Sequence, residues 1–187
     1  SIRPATLADV AFIVSLGTRE SLCVGWLPRL AVTNYVSGYG RVWCAVVDGL
    51  VVGYLVSRRL TGTALTCCIQ VAIEPAFRRS GIGRVLVAFW HSAERADGCG
   101  VAQAWVKSDL EAMSFFRAVG MDALLRCERP TQRGVCRTLF RCPLIWPPPD
   151  DWTEPPKRTG WKAARLLPVQ VRPARDIADR GKRRKVA

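Results

Sequence analysis

The sequence lacks the residue patterns that build metal sites and disulfide frameworks. It has one histidine, and none of its eight cysteines forms a Cys-x-x-Cys pair. We therefore expect reduced, mostly buried thiols and no metal site. No run of about 18 apolar residues is present, which argues against a membrane span. The first residues, SIRPATLADV, lack the basic flank and apolar stretch of a secretory signal, so a cytoplasmic setting is expected.

Negative charge is also scarce. The chain carries 28 Lys and Arg against 15 Asp and Glu, for a net charge of +13, while 49% of its residues are hydrophobic. This composition indicates a globular protein that attracts polyanions and anionic cofactors. Charge alone leaves a nucleic-acid role and a simple effect on solubility equally open.

The organisation of the chain changes once, near Pro143. Before this point short β-rich runs alternate with helical patterns, and after it comes PLIWPPPDDWTEPPKRTGW, which cannot continue a helix or a central strand. We predict a domain over residues 1–143, followed by a proline-rich strap and basic tail over residues 144–187. The final DRGKRRKVA is expected to be a solvated tail or a phosphate-binding arm.

Hydrophobic periodicity predicts an α/β protein with a mixed sheet. The predicted order is β-α-α-β-β-β-α-β-α-β-β. An Asp-Gly pair between VWCAVVD and VVGYLVSRR indicates a hairpin. The predicted helices span about 7–17, 27–36, 83–96 and 110–119, and the longest strand spans about 64–73.

The stretch VAIEPAFRRSGIGR places two glycines between an apolar strand and a helix start. Gly81 and Gly83 allow backbone N–H groups to converge, and the helix adds its N-terminal donors and dipole. Nearby arginines, Arg78, Arg79 and Arg84, could meet phosphate oxygens. The pattern lacks the Gly-Lys-Ser/Thr of a Walker loop and the three glycines of a Rossmann loop. By itself it indicates either a pyrophosphate seat or an ordinary turn, with the turn favoured.

The same stretch resembles the acyl-CoA-binding motif of the GNAT superfamily of N-acyltransferases, whose core is Arg/Gln-x-x-Gly-x-Gly/Ala. Here the core is RRSGIG, from Arg78 to Gly83. IRPAT resembles the opening strand and turn of the family. DLEAMSFFRAVGMD resembles the family segment that is commonly written Asn-x-x-Ala-x-x-Phe-Tyr-x-x-x-Gly-Phe. The resemblance covers about residues 1–142 in the family's order.

The resemblance implies a strand over about 64–73 that splays away from a strand over about 101–107. The pantetheine arm of acetyl-CoA, or of another acyl-CoA, would enter this gap and pair with strand backbone. Asp109 stands where the family has an asparagine, although a helix N-cap explains it equally well. The cofactor-binding residues so implied are Val71, Ile73, Arg78, Arg79, Ser80, Gly81, Ile82, Gly83, Arg84, Asp109 and Phe116.

The family's reaction is direct attack of an amine on the thioester, which requires a base and a proton donor. Gln70 stands where a glutamate would serve as the base, and Phe116 stands where a tyrosine often protonates the thiolate. Glu74 is the nearest carboxylate in sequence, and Tyr39 is an alternative donor. Both also have ordinary explanations, as a solvated residue and as packing. The lone His91 is expected at the surface, off the buried face of its helix.

Three functions remain open for a protein with these features. The first is acylation of an amine on a polyanion, such as a modified base in DNA or RNA, since some phage and RNA-modifying enzymes use this fold. The second is acetylation of a small-molecule or protein amine, with an incidental basic tail. The third is a non-catalytic nucleic-acid-binding protein on a GNAT scaffold.

Overall fold

The protein is built around one eight-stranded mixed sheet with helices on both faces. The computed structural model describes residues 1–108, 111–127, 137–148, 152 and 166–168. The strands lie in the order β1-β2-β3-β4-β5-β7-β6-β8. The strands are β1 (Ile2–Pro4), β2 (Arg41–Val47), β3 (Leu50–Arg59), β4 (Leu65–Ile73), β5 (Val101–Lys107), β6 (Asp122–Cys127), β7 (Arg137–Pro143) and β8 (Leu166–Pro168). The helices are α1 (Val10–Arg19), α2 (Ser21–Val24), α3 (Arg29–Asn34), α4 (Ile82–Ala96) and α5 (Ala112–Ala118).

The predicted order of elements is confirmed, with three differences at its edges. The first predicted helix begins as a 3-10 turn over Leu7–Asp9, and a separate short α2 follows α1. The second predicted helix ends early, because α3 passes into a wide turn over Tyr35–Tyr39 that contains Gly38 at φ 113°. The third difference is β8, which pairs antiparallel with β6. The predicted boundary near residue 143 stays a prediction, and most of the predicted strap and tail lies outside the described residues.

The chain enters α1 through a capping box that fixes the first strand to the first helix. The backbone N–H of Thr6 donates to Asp9 Oδ2 at 2.7 Å. The guanidinium of Arg3 donates to both oxygens of the same carboxylate at 2.7 and 2.8 Å. The Arg3 hydrogen bonds hold the pKa of Asp9 well below its usual range.

The residues of β3 divide the core into two layers. Leu55 packs with α4 residues such as Trp90, and Val52 joins the same layer because a register shift between β2 and β3 leaves it as an extra residue. Tyr54 and Val56 pack with residues of α1 instead. Because successive side chains of a strand point to opposite faces, α1 to α3 cover one face of the sheet, while α4 and α5 cover the other.

The centre of the sheet opens where β4 and β5 part. These two strands are parallel and pair only from Leu65↔Val101 to Cys68↔Ala104. One residue further, β4 carries a β-bulge: Val56 pairs with Gln70 and Ser57 with Cys68, which leaves Ile69 as the extra residue. A bulge bends its strand and ends regular pairing. The expected splay of these strands is therefore confirmed, and the bulge supplies its local cause.

No helix in the described part of the chain is long and apolar enough to cross a bilayer.

Candidate active site

The gap between β4 and β5 forms a cleft of about 740 Å³. Its floor is the unpaired half of β4. The backbone N–H of Glu74 donates to Val52 O of β3 at 2.8 Å. Since alternate residues of a strand direct their N–H and C=O groups to the same side, Ala72 also faces β3. The backbone groups of Val71 and Ile73 therefore face the cleft, and both residues line it.

The turn before α4 presents the N-terminal end of a 15-residue helix to this cleft. Gly81 precedes the helix with φ 88°, a left-handed conformation that glycine adopts without strain. Arg79 also has a positive φ, of 64°. The first N–H groups of a helix have no intrahelical partner and carry the positive end of its dipole. The turn therefore suits a pyrophosphate group chemically.

Gly83 has a further role that the motif does not indicate. A Cβ placed on Gly83 would lie 3.0 Å from Phe115 Cε2. The missing side chain therefore lets the start of α4 approach α5 closely.

Arginines and carboxylates pair around the cleft. Arg78 donates through Nε to Ile73 O at 3.0 Å and forms a 2.7 Å ion pair with Glu20. Arg79 pairs with Glu111 at 3.0 Å, where both side chains are largely exposed. Glu20 and Glu111 are the only carboxylates among the described lining residues. Each of them therefore already has an arginine partner in these ion pairs.

Most of the predicted cofactor-binding residues meet in this cleft. Phe116 is 5% exposed and packs against Phe140, with ring centroids 5.7 Å apart. Ser80 donates from Oγ to Phe77 O at 2.7 Å, and neither Ser80 nor Ile82 is a lining residue. Asp109 lies outside the described residues. The predicted residues that line the cleft are Val71, Ile73, Arg78, Arg79, Gly81, Gly83, Arg84 and Phe116.

The structure places the two predicted catalytic residues away from the lining of the cleft. Glu74 forms an ion pair with Arg19. Tyr39 is 63% exposed, and its hydroxyl accepts a hydrogen bond from Arg58 at 3.1 Å. Arg58 pairs with Cys67, in the half of β4 that remains bonded to β5. Neither Glu74 nor Tyr39 belongs to the described lining residues.

Gln70 is a structural anchor as well as a lining residue. Its side-chain oxygen accepts a hydrogen bond from the buried hydroxyl of Tyr54 at 3.0 Å. Its amide nitrogen donates to Gly25 O at 2.7 Å. Gln70 thus ties β3 and β4 to the link between α2 and α3, which forms one wall of the cleft. A carboxylate at this position could not donate to Gly25, so the amide suits the observed contacts.

Glu20, a carboxylate at the end of α1, is a site residue that the sequence did not predict. Its side chain is 18% exposed, and it lines the cleft on the α1–α2 side. In the sequence it reads as an ordinary solvated residue at a helix end, and no motif marks it. Only the packing of α1 against β3 and β4 brings it to the cleft.

His91 differs from its expected surface position. It is partly exposed, but its Nε2 atom is buried and finds no hydrogen-bond partner among the described residues. Burial lowers its pKa to about 4. The ring contacts Trp90, with centroids 4.8 Å apart, so His91 belongs to the packing of α4.

Comparison with known proteins defines the class. Residues 38–120 match the model of the acetyltransferase (GNAT) domain. The fold is similar to that of the ribosomal-protein-S18-alanine N-acetyltransferase of Escherichia coli, with a TM-score of 0.63 and 15% identity over 77% of this chain and 93% of that one. It is also similar to Ard1 of Thermoplasma volcanium, with a TM-score of 0.66 and 17% identity over 78% and 97%.

A third similar structure, the acetyltransferase yncA of Salmonella typhimurium, was solved with its cofactor acetyl-CoA. Its TM-score is 0.65, with 19% identity over 78% of this chain and 94% of that one. No curated protein matches the chain by sequence. The resemblance found in the sequence is thus confirmed over residues 38–120, which match a GNAT acetyltransferase domain, and enzymes with this domain transfer acyl groups from acyl-CoA.

Proposed function

We propose that this protein transfers an acetyl group from acetyl-CoA to an amine by direct attack, and that Glu20 accepts the amine proton directly or through water. The observation that carries the proposal is the continuous path along the β4–β5 gap. It runs from the α4 N-terminus, along the backbone of Val71 and Ile73 that does not pair with β5, to the carboxylate of Glu20 on the α1–α2 side.

The residues of the cleft divide the work of binding. The turn from Arg78 to Arg84 would hold the pyrophosphate, and the edge of β4 would pair with the pantetheine amides. Bound acetyl-CoA supplies a thioester carbonyl that is open to attack. Backbone contacts to the pyrophosphate and to the pantetheine amides would hold the thioester carbon in a fixed position. The amine can then attack this carbon directly, and no covalent enzyme intermediate is needed.

The proton of the acceptor amine would be removed on the α1–α2 side of the cleft, where Glu20 lies. An alkyl ammonium has a pKa of about 10.4, so it must lose a proton before its nitrogen can form the new C–N bond. Glu20 is the carboxylate nearest this side, and its ion pair with Arg78 fixes its position. The C–S bond breaks as the C–N bond forms. Since Phe116 has no proton to give, solvent protonates the released thiolate.

A titration tests the cofactor site. Calorimetric titration with acetyl-CoA should show micromolar binding that is lost in an Arg78→Ala/Gly81→Asp double variant and retained in Arg29→Ala, which removes an exposed charge on α3. Equal binding by all three proteins would contradict the pyrophosphate seat.

A second experiment separates the candidate bases. Glu20→Gln should lower kcat by about 100-fold, a common contribution of general-base catalysis. Glu74→Gln and Tyr39→Phe are the matched comparisons and should retain most of the native kcat. If Glu74→Gln or Tyr39→Phe lowers kcat by this amount while Glu20→Gln retains it, the base or donor is Glu74 or Tyr39 instead.

We propose a polyanionic acceptor, such as an aminated base in DNA or RNA, which the net charge of +13 would attract. Binding of such an oligonucleotide should weaken steeply from about 50 to about 200 mM salt, because phosphate contacts release counterions. A small-molecule or protein amine is the alternative, expected if oligonucleotide binding is weak and acetylation does not depend on salt. Oligonucleotide binding without acetyl-CoA binding would instead indicate a non-catalytic nucleic-acid-binding protein.

A further inference from the structure

We propose that Arg78 is a positioning residue that changes partners when acyl-CoA binds. The pyrophosphate would draw its guanidinium away from Glu20 and from the edge of β4, so that the cofactor itself releases the base for the acceptor amine. The inference rests on the proposed acyl transfer and specifies how the cofactor half of the cleft is coupled to the acceptor half.

The side chain of Arg78 joins three parts of the cleft. Its Nη2 atom lies 2.7 Å from Glu20 Oε1 at the end of α1. Its Nε atom donates to Ile73 O at the end of β4, at 3.0 Å. All three residues line the cleft. One guanidinium therefore links the turn before α4 both to the wall that holds the proposed base and to the strand edge that would receive pantetheine.

Both partners of Arg78 have another use in the proposed reaction. Ile73 lies in the part of β4 that does not pair with β5, where the pantetheine amides would pair instead. The carboxylate of Glu20 would attract the acceptor ammonium, and an arginine 2.7 Å away opposes that attraction. The two contacts of Arg78 thus compete with the cofactor and with the acceptor.

The balance of charges indicates which partner Arg78 prefers. The side chains of Arg78 and Glu20 are 46% and 18% exposed, and an ion pair that water reaches is weak. A pyrophosphate presents several anionic oxygens, which a guanidinium binds bidentately. The dipole and the first N–H groups of α4 would hold this anion beside Arg78. Phosphate is therefore the stronger partner, and Glu20 is the one released.

A double-mutant cycle on CoA affinity, measured by calorimetry, tests the exchange without depending on turnover. Glu20→Gln removes the internal competitor and should tighten CoA binding about two- to fivefold, the strength of a partly exposed ion pair. The same substitution should have no effect in an Arg78→Ala background and should keep its effect in Arg78→Lys, which retains the charge. Glu74→Gln is the matched control. It breaks an ion pair outside the described lining of the cleft and should leave CoA affinity unchanged.

Two results of this cycle would overturn the inference. Tighter binding in both the native and the Arg78→Ala backgrounds would mean that Glu20 only repels the phosphates. Unchanged or weaker binding in Glu20→Gln would mean that the ion pair persists in the complex. Failure of the native protein to bind CoA would instead refute the proposed function, on which the inference rests.

Pantetheine, which lacks the pyrophosphate, gives the complementary test. It would have to displace Arg78 from Ile73 O with no phosphate to receive the guanidinium. Arg78→Ala should therefore bind pantetheine about two- to tenfold more tightly than the native protein, since that hydrogen bond no longer has to be broken. The same variant should bind CoA about tenfold more weakly, because it loses a charge-assisted contact. Pantetheine affinity that is equal or lower in Arg78→Ala would overturn the inference, because Arg78 would then not compete for the strand edge.

Discussion

A sharp test of the packing around the cleft is the substitution Gly17→Ala. Gly17 lies in α1, directly above the buried ring of Tyr54. A Cβ on Gly17 would lie 2.7 Å from Tyr54 Oη but 3.8 Å from Tyr54 Cζ. The first distance forces a shift, whereas the second is an ordinary contact. The conflict therefore involves the hydroxyl alone, and that hydroxyl donates to Gln70.

The sign of the effect should depend on the background. In the native background, Gly17→Ala would displace the hydroxyl and strain the core, at a combined cost of about 2–4 kcal/mol. Alanine regains about 1 kcal/mol through its helix propensity, so a net loss of about 1–3 kcal/mol is expected. In a Tyr54→Phe background the clash is absent, and the same substitution should stabilise the protein by up to about 1 kcal/mol.

Urea denaturation of the four proteins in this double-mutant cycle measures the coupling, which we expect to be about 2–4 kcal/mol. The native protein serves as the reference for Tyr54→Phe alone, which leaves the Gln70 oxygen without its donor. Equal destabilisation by Gly17→Ala in both backgrounds would refute the reasoning, because the strain would then arise elsewhere in α1.

Three further predictions concern other parts of the molecule. Glu94→Gln should reduce the free energy of unfolding by about 3 kcal/mol, since Glu94 is fully buried between two arginines. Glu111→Gln, which removes one partner of an exposed ion pair, should reduce it by less than about 0.5 kcal/mol. Equal losses for the two variants in urea denaturation would contradict this prediction. Because burial lowers the pKa of His91 to about 4, the unfolded chain binds a proton that the folded one does not, and stability should fall as pH drops from about 6.5 to about 4. This dependence should be shallower in His91→Gln, and an unchanged slope would refute it. Peptide mass spectrometry after iodoacetamide treatment should show faster labelling of exposed Cys23 than of buried Cys44, whose pKa burial raises to about 12, and equal rates would count against this.

Much of the fold could be predicted because its signals are local. Alternating apolar residues mark β2 and β3, the Asp-Gly pair marks their hairpin, and Gly81 marks the turn into α4. Each of these features depends on residues close together in the chain. The motif from Arg78 to Gly83 could be assigned for the same reason.

The rest depends on contacts between distant segments. The bulge at Ile69 has no glycine or proline to mark it, since it arises from the register of β4 against β3. Glu20 reaches the cleft only through the packing of α1. Gln70, which appeared to be a lost base, is explained by its contacts with Tyr54 and Gly25. Such placements require the tertiary structure, because no spacing in the sequence encodes them.

The parting of β4 from β5 also bears on colloidal behaviour. A strand edge with unpaired amides is a template on which another chain can add a strand. Here Val71 and Ile73 offer such an edge inside the molecule, between α4 and α2, where only a thin, extended partner can enter. A cofactor that fills the edge would also protect the protein from association, and at a concentration 100 times its Kd it would add about 2.7 kcal/mol to stability. Storage with CoA should therefore extend the lifetime of the purified protein, and cofactor supply in the cell would govern its solubility as well as its turnover.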